Sequence, residues 1–514
     1  MLASNSRTKK TITNVSFAFL GHFSNQIMTF VVRTVFINTL AIKYLGVNGL
    51  FTNILAFLSL AELGVASAMI YSMYAPIAEK NYKKIHVYMT LYKKLYTIIG
   101  ISILLIGCSL IPFLNFFFKE RPNIPYLEFI YFLYVLNSAS TYFFSYKGSI
   151  FRADQRQYIV TNNNTIFTFI QSIARILVLL LFKDFILYLF ISIVCVFIQN
   201  YVLSRKADKV YPFLKKKSVD KLSKQEERNL MKNIGAMFFQ KLGSVVLNAS
   251  DNIILSKFAG VVFVGLYSNY ALIIGIIKSV FNTISDGIIP SVGNLCATGS
   301  KEQSEKIFNA LLLLNVWGMG FCCICLFVLL NPFIELWIGK GYVLNIYVVL
   351  FSVISLYIQM IMRAAEMIKN ATGLFWNDRY VPFIQCIINI VVSIILVQKF
   401  GVAGIFIGTS LAMLLTSFWV TPYIIYKHYF KKPIYHYFSR LSFYTIVIIL
   451  SGTLTVWASE YLLGNKYINF AFKMACCCLI PNIVCICVFG RSTPFKTILN
   501  LLGVKRVLKR QVNC

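Results

Sequence analysis

Seven ionisable side chains sit deep inside runs of apolar sequence: the cations Arg33, Arg175, Lys241 and Lys278, and the acids Glu62, Asp251 and Asp286. Each costs roughly 2.5 kcal/mol or more at the centre of a bilayer, so each is expected to face a cavity, water or a partner. Positive groups in a low-dielectric cavity favour phosphate or pyrophosphate, with Arg the better bidentate partner. A cavity for cationic drugs would instead want carboxylates and aromatic faces. The first apolar run holds His22, Gln26 and Arg33 and no Asp or Glu, so the cavity prefers an anion. The three acids either balance the cations while no cargo is bound or take up H⁺ or Na⁺, and the sequence leaves both open.

Helical spacing groups these residues. His22, Gln26 and Arg33 share one face of the first span, and Lys241, Ser244, Asn248 and Asp251 form a similar stripe on the seventh. On the eighth, Ser268, Ala271, Gly275, Lys278, Asn282 and Asp286 lie on one side. Substrate-binding candidates are therefore Arg33, Arg175, Lys241, Lys278, His22, Gln26, Asn248 and Asn282. Glu62, Asp251 and Asp286 are the candidates for coupling or charge balance. Plainer roles stand beside these. Glu62 could pair with a cation of a neighbouring helix, Lys241 could snorkel to the interface, and Asp251 with Asn252 could bridge helices. Arg363 and Glu366 read as a local interfacial pair.

The elements that hold these residues are membrane spans. Of 514 residues, 58% are hydrophobic and 13% charged, too apolar for a soluble multidomain protein. The apolar runs last about 20 residues or more and do not alternate, which selects helices over a β-barrel. About fourteen spans fall near 13–38, 46–72, 89–112, 125–146, 158–181, 184–203, 234–257, 264–292, 306–330, 343–366, 380–398, 402–426, 441–463 and 467–489. The net charge of +31 does not indicate a nucleic-acid partner, because the Lys and Arg blocks fall on alternate loops. That asymmetry puts both termini in the cytoplasm and a basic surface against anionic lipid. Thirteen cysteines, with Cys322, Cys323, Cys325 and the run Cys476–Cys478 inside spans, behave as small hydrophobes, and no metal site is expected.

The chain also contains a displaced copy of itself. Gly49-Leu50-Phe51-Thr52-Asn53 returns as Gly265-Leu266-Tyr267-Ser268-Asn269, and Gln26, Asn38, Lys43 and Gly46 recur as Gln240, Asn252, Lys257 and Gly260. Six spans per copy is an even number, so the repeats are parallel, the mark of a transporter. The expected organisation is an N-terminal six-helix lobe at 1–203 and a basic cytoplasmic linker at 204–233, forming a surface loop or amphipathic helix. A second lobe follows at 234–430, then two further helices and a basic tail at 431–514. The fold class is all-α and polytopic. Loops on the non-cytoplasmic side are too short for a catalytic face, so the chain is not expected to be an enzyme.

Six segments stand out: Leu60-Ala61-Glu62-Leu63-Gly64-Val65-Ala66-Ser67-Ala68, Tyr74 to Lys80, Leu91 to Tyr96, Ser250 to Phe258, Val264 to Tyr270 and Gly293-Asn294-Leu295. They resemble the Wzx-type O-antigen and capsule flippases of the multidrug/oligosaccharidyl-lipid/polysaccharide exporter superfamily. The resemblance weakens after about residue 430. It implies a MATE-like pair of lobes plus two extra helices, working by alternating access in a bacterial inner membrane. The implied cargo is an undecaprenyl-pyrophosphate-linked oligosaccharide moved to the outer leaflet. Membrane lipids and the polysaccharide polymerase machinery are the implied partners; no cofactor is implied, and coupling to H⁺ or Na⁺ is left open. A cation-coupled drug exporter and a peptidoglycan-precursor flippase are the neighbouring alternatives.

Overall fold

Apolar sequence in water-free surroundings must satisfy its backbone internally, and helices do so span by span. The computed structural model describes residues 21, 24–62, 64–215, 222–374, 377–461 and 464–501, and among them there is no strand. Among the same residues ten helices are long and apolar enough to cross a membrane, and two shorter apolar ones accompany them. The chain divides into two compact units, Met1–Gly265 and Leu266–Cys514.

The first unit contains α1 (24–39), α2 (Ile42–Leu58), α3 (Val65–Ala78), α4 (Tyr82–Ser109), α5 (Leu127–Ser145) and the short α6 (Gly148–Ala153). It continues with α7 (Gln157–Leu181), α8 (Phe185–Val210) and α9 (Lys224–Phe258), and it takes in the first residues of α10 (Val261–Thr298). The stretch expected as one span at 46–72 is broken. A 3₁₀ turn covers Ser59–Glu62, and Gly64 has φ +89°, a left-handed conformation that costs a glycine little. Both halves pack along α9, so α2 and α3 form one interrupted span. Such breaks survive in membranes only where protein or water satisfies the freed backbone. The core of this unit gathers Met69, Met73, Tyr92, Ile103, Tyr142, Ile150 and Phe151.

The expected linker is partly helical. Helix α8 runs on to Val210, a 3₁₀ turn covers Pro212–Lys215, and α9 begins at Lys224. Ser223 caps α9 in a reciprocal pair with Glu226, satisfying two otherwise orphaned N–H groups. Lys84 on α4 reaches the same carboxylate at 2.6 Å. The Lys84 ammonium and the Ser223 donors hold the Glu226 carboxyl down to about 2.

The second unit holds the rest of α10, then α11 (Lys301–Ile338), α12 (Ile346–Ile361), α13 (Arg363–Thr372) and α14 (Val381–Phe400). Helices α15 (Val402–Leu415) and α16 (Ser417–Ile424) lead into a π turn at Ile425–Phe430, followed by α17 (Tyr435–Ser459), α18 (Lys466–Phe489) and α19 (Thr493–Leu501). Two more stretches expected as single spans are interrupted. The 402–426 stretch breaks at Thr416 (φ −126°, ψ −95°) before Pro422, which has no N–H to continue the ladder. The 343–366 stretch breaks at Met362 between α12 and α13. The core centres on Phe308, Leu312, Leu313, Ile425, Tyr426 and Tyr437.

Candidate functional site

The first unit brings Arg33 and Arg175 to one place. Arg175, half-buried on α7, donates from Nε to Ser192 Oγ at 2.7 Å and lies 4.9 Å above the Tyr188 ring, both on α8. Ser192 in turn donates to the Tyr188 carbonyl at 2.7 Å, which fixes the direction of its lone pairs towards the guanidinium. Arg33, also half-buried on α1, lies close enough to Tyr188 and to Tyr134 of α5 to interact with both electrostatically. Tyr134 feels both arginines and donates its hydroxyl to Asn48 Oδ1 on α2. Phe36 of α1 closes the edge, 5.5 Å from the Tyr188 ring and 5.7 Å from Phe185. Two guanidinium groups thus share a pair of phenols in a span-forming region. A guanidinium stacked on an aromatic face keeps most of its N–H donors for an anion.

The broken span makes a second polar site. Glu62 ends the 3₁₀ turn and accepts from Tyr96 Oη at 2.6 Å and from Tyr142 Oη at 2.8 Å. Among the described residues no cation pairs with it. The cation partner weighed from the sequence is replaced by two phenols, from α4 and α5. Beyond Tyr96 lies the Tyr92 ring, 4.5 Å away centroid to centroid, and Tyr92 Oη meets Ser149 Oγ of α6 at 3.1 Å.

Sequence reasoning missed the uncharged contacts between neighbouring spans. In the first unit Asn163 Nδ2 donates to the Gln199 carbonyl at 3.2 Å, and Gln171 Nε2 to the Ser192 carbonyl at 3.0 Å, joining α7 to α8. In the second, Asn389 Nδ2 donates to Thr409 Oγ1 at 2.9 Å and Ser417 donates to Gln385 Oε1, joining α14 to α15 and α16. The available signal was amide side chains inside apolar runs, Asn162-Asn163-Asn164 with Gln171 in one repeat and Gln385 with Asn389 in the other.

The remaining candidates are spread along other helices. Lys278, Asn282 and Asp286 follow one another by turns on α10, the first two half-buried. Asp286 accepts from Arg363 Nη2 at 2.7 Å, and Arg363 Nη1 reaches Glu366 at 2.9 Å. The local Arg363–Glu366 pair therefore exists and also holds Asp286. Gln26 is half-buried on α1, and Asp251 is half-buried on α9. Lys241 and Asn248 lie on the backbone of α9 with their side chains outside the described residues, as does the whole of His22.

Comparison with known proteins gives both a family and a fold. Residues 11–295 match the model of a family described as polysaccharide biosynthesis protein. The solved structure of the lipid II flippase MurJ in an inward closed conformation superposes with a TM-score of 0.69, covering 93% of this chain and 99% of its own at 13% identity. An inward-facing multidrug resistance MATE family transporter of the MOP superfamily gives 0.62 over 78% of this chain and 94% of its own, at 12% identity. A point mutant of the Vibrio cholerae MATE transporter VcmN gives 0.56 over 84% and 100%, at 14% identity. At such identities the likeness is one of fold. A search of curated protein sequences returned no significant match.

Proposed function

The chain belongs to the polysaccharide biosynthesis protein family and spans the membrane many times; from that footing we propose that it is a flippase for an undecaprenyl-pyrophosphate-linked oligosaccharide. It carries the repeat unit from the cytoplasmic to the outer leaflet of a bacterial inner membrane by alternating access, for assembly of a surface polysaccharide. The observation that carries this reading is the Arg33–Arg175 pair around Tyr134 and Tyr188. Two fixed cations among apolar helices suit a diphosphate, because the lost hydration of the anion is offset by charge-assisted donors already in place. The prenyl chain stays in lipid while the glycan and pyrophosphate cross. Lys241, Lys278, His22, Gln26, Asn248 and Asn282 are further cargo contacts in this reading.

Glu62 is the proposed coupling group. Its carboxylate accepts from two phenols and has no described cation beside it, so uptake of H⁺ or Na⁺ would change the charge of an element that is already broken. Asp286 is the proposed charge-balancing acid, held by Arg363, and Asp251 shares that role.

Deleting the gene tests the assignment. Accumulation of an undecaprenyl-pyrophosphate repeat unit in the inner leaflet, with loss of surface polysaccharide, is the expected result. The MurJ-like fold favours one second reading, a peptidoglycan-precursor flippase, which predicts accumulation of that precursor and loss of viability. Altered sensitivity to cationic drugs with no accumulated lipid would overturn both and favour a drug exporter.

A further inference from the structure

A polar cavity of about 440 Å³ opens in the second unit, away from the residues used above. Glu302, Glu305, Lys306 and Asn309 line it from the first turns of α11, Lys432 from the connection before α17, and Arg440 from α17 itself. Part of this charge is matched internally. Lys432 pairs with Glu305, while Arg440 donates from Nη1 to Asn309 Oδ1 at 2.6 Å and stands 3.9 Å from Glu305. Glu302 and Lys306 have no ion-pair partner among the described residues. The wall therefore offers an ammonium and spare guanidinium donors together with the Glu302 carboxylate, which accepts from Ser300 and its own backbone N–H and is in no ion pair among the described residues.

Its depth follows from the length of α11. At 38 residues the helix is about 57 Å long, against a hydrocarbon core of about 30 Å. The charged turns up to Asn309 precede the apolar run that starts at Ala310, so they project into the headgroup layer. A simple anion there would meet Glu302 and Glu305; a simple cation would meet Lys306 and Arg440. A group carrying both signs leaves none of these charges opposed.

We infer that this cavity binds a phosphoethanolamine headgroup of a membrane lipid, with the phosphate on Lys306 and Arg440 and the ammonium on Glu302. The volume lies within the range of small-ligand sites. The ammonium supplies N–H donors to a carboxylate, which a quaternary choline cannot do. The site is independent of the transport reading and would stand if the cargo were different.

The test uses the delipidated full-length protein in detergent, titrated with short-chain phosphatidylethanolamine, phosphatidylcholine and phosphatidylglycerol, and with free phosphoethanolamine. Ethanolamine lipid should bind about tenfold tighter than choline lipid, one charge-assisted hydrogen bond's worth. Glu302→Gln should erase that preference, and Lys306→Gln should weaken both lipids about equally. Both residues are exposed, so neither change threatens folding. Free phosphoethanolamine binding more weakly than the lipid identifies a membrane source; binding as tightly identifies a soluble phosphoamine and overturns the lipid assignment. Tighter binding of the glycerol lipid, equal binding of ethanolamine and choline lipids, or an unchanged preference in Glu302→Gln would overturn the proposal.

Discussion

Removing the Glu62 carboxylate should leave two phenols without an acceptor. Tyr96 and Tyr142 donate to opposite oxygens of Glu62, at 2.6 Å and 2.8 Å, from α4 and α5. Glu62→Ala strands both hydroxyls, at about 1–3 kcal/mol for each unsatisfied donor, so the expected loss is about 2–6 kcal/mol. Glu62→Gln keeps one acceptor oxygen and presents an N–H₂ group to the other phenol, for about half that loss. Tyr96→Phe and Tyr142→Phe each remove one charge-assisted bond, about 1.5–3 kcal/mol. Together they should cost more than the sum, because the last donor to a half-buried carboxylate matters most. The assay is denaturant or thermal unfolding of the purified protein in one detergent, read as a double-mutant cycle, with glycan export measured in cells in parallel. Glu62→Gln should abolish export at protein levels matching wild type. Additivity of the two Tyr variants within about 0.5 kcal/mol, or full stability of Glu62→Ala, would refute the two-phenol cradle.

Other outcomes follow from single contacts. A Cβ at Gly46 would sit 1.9 Å from the Val261 carbonyl oxygen, whereas one at Gly49 would sit 3.0 Å from a Val264 methyl. Gly46→Ala should therefore cost about 1–3 kcal/mol or more in unfolding assays with no rescue by side-chain trimming, while Val264→Ala should rescue Gly49→Ala. Arg363→Gln should impair function or stability more than Glu366→Gln, since Arg363 holds two acids, and exchanging Asp286 and Arg363 should restore part of the loss. Glu226 has a carboxyl lowered to about 2 in the folded state. Its contribution is present above the ordinary carboxylate value and fades as pH falls towards about 2, so Glu226→Gln should destabilise the protein at pH 7 and narrow the gap to wild type below pH 4, as followed by melting scans.

Much of the architecture is legible in the sequence because the length of an apolar run is a local property. Within the described residues, each expected span coincides with a helix or an interrupted pair of helices. The interruptions are illegible for a physical reason. Hydropathy averages over a window and does not register one left-handed glycine at Gly64 or a twisted Thr416 inside an apolar run. Arg33 and Arg175 stand out because charge in hydrocarbon is costly, and the structure does bring them to the same two tyrosines. The partners of Glu62 stay hidden, since they are neutral phenols 34 and 80 residues away in a chain full of tyrosine. Asp286 meets Arg363 across 77 residues, a pairing that no local spacing announces. The amide contacts between α14 and α15 carry no charge at all, so the cost of burying charge, which singles out the arginines, does not mark them.

The most direct test of the central claim is transbilayer movement of a prenyl-pyrophosphate-linked glycan in liposomes containing the purified full-length protein. Wild type should move the pyrophosphate cargo faster than a matched monophosphate. The Arg33→Gln, Arg175→Gln double variant should lose at least about tenfold of that rate, since each lost charge-assisted contact is worth about 1.5–3 kcal/mol. Its melting temperature should be checked against wild type, because Arg175 also holds Ser192. Equal rates for the two cargoes, or an undiminished rate in a folded double variant, would contradict the assignment of Arg33 and Arg175 as the pyrophosphate site.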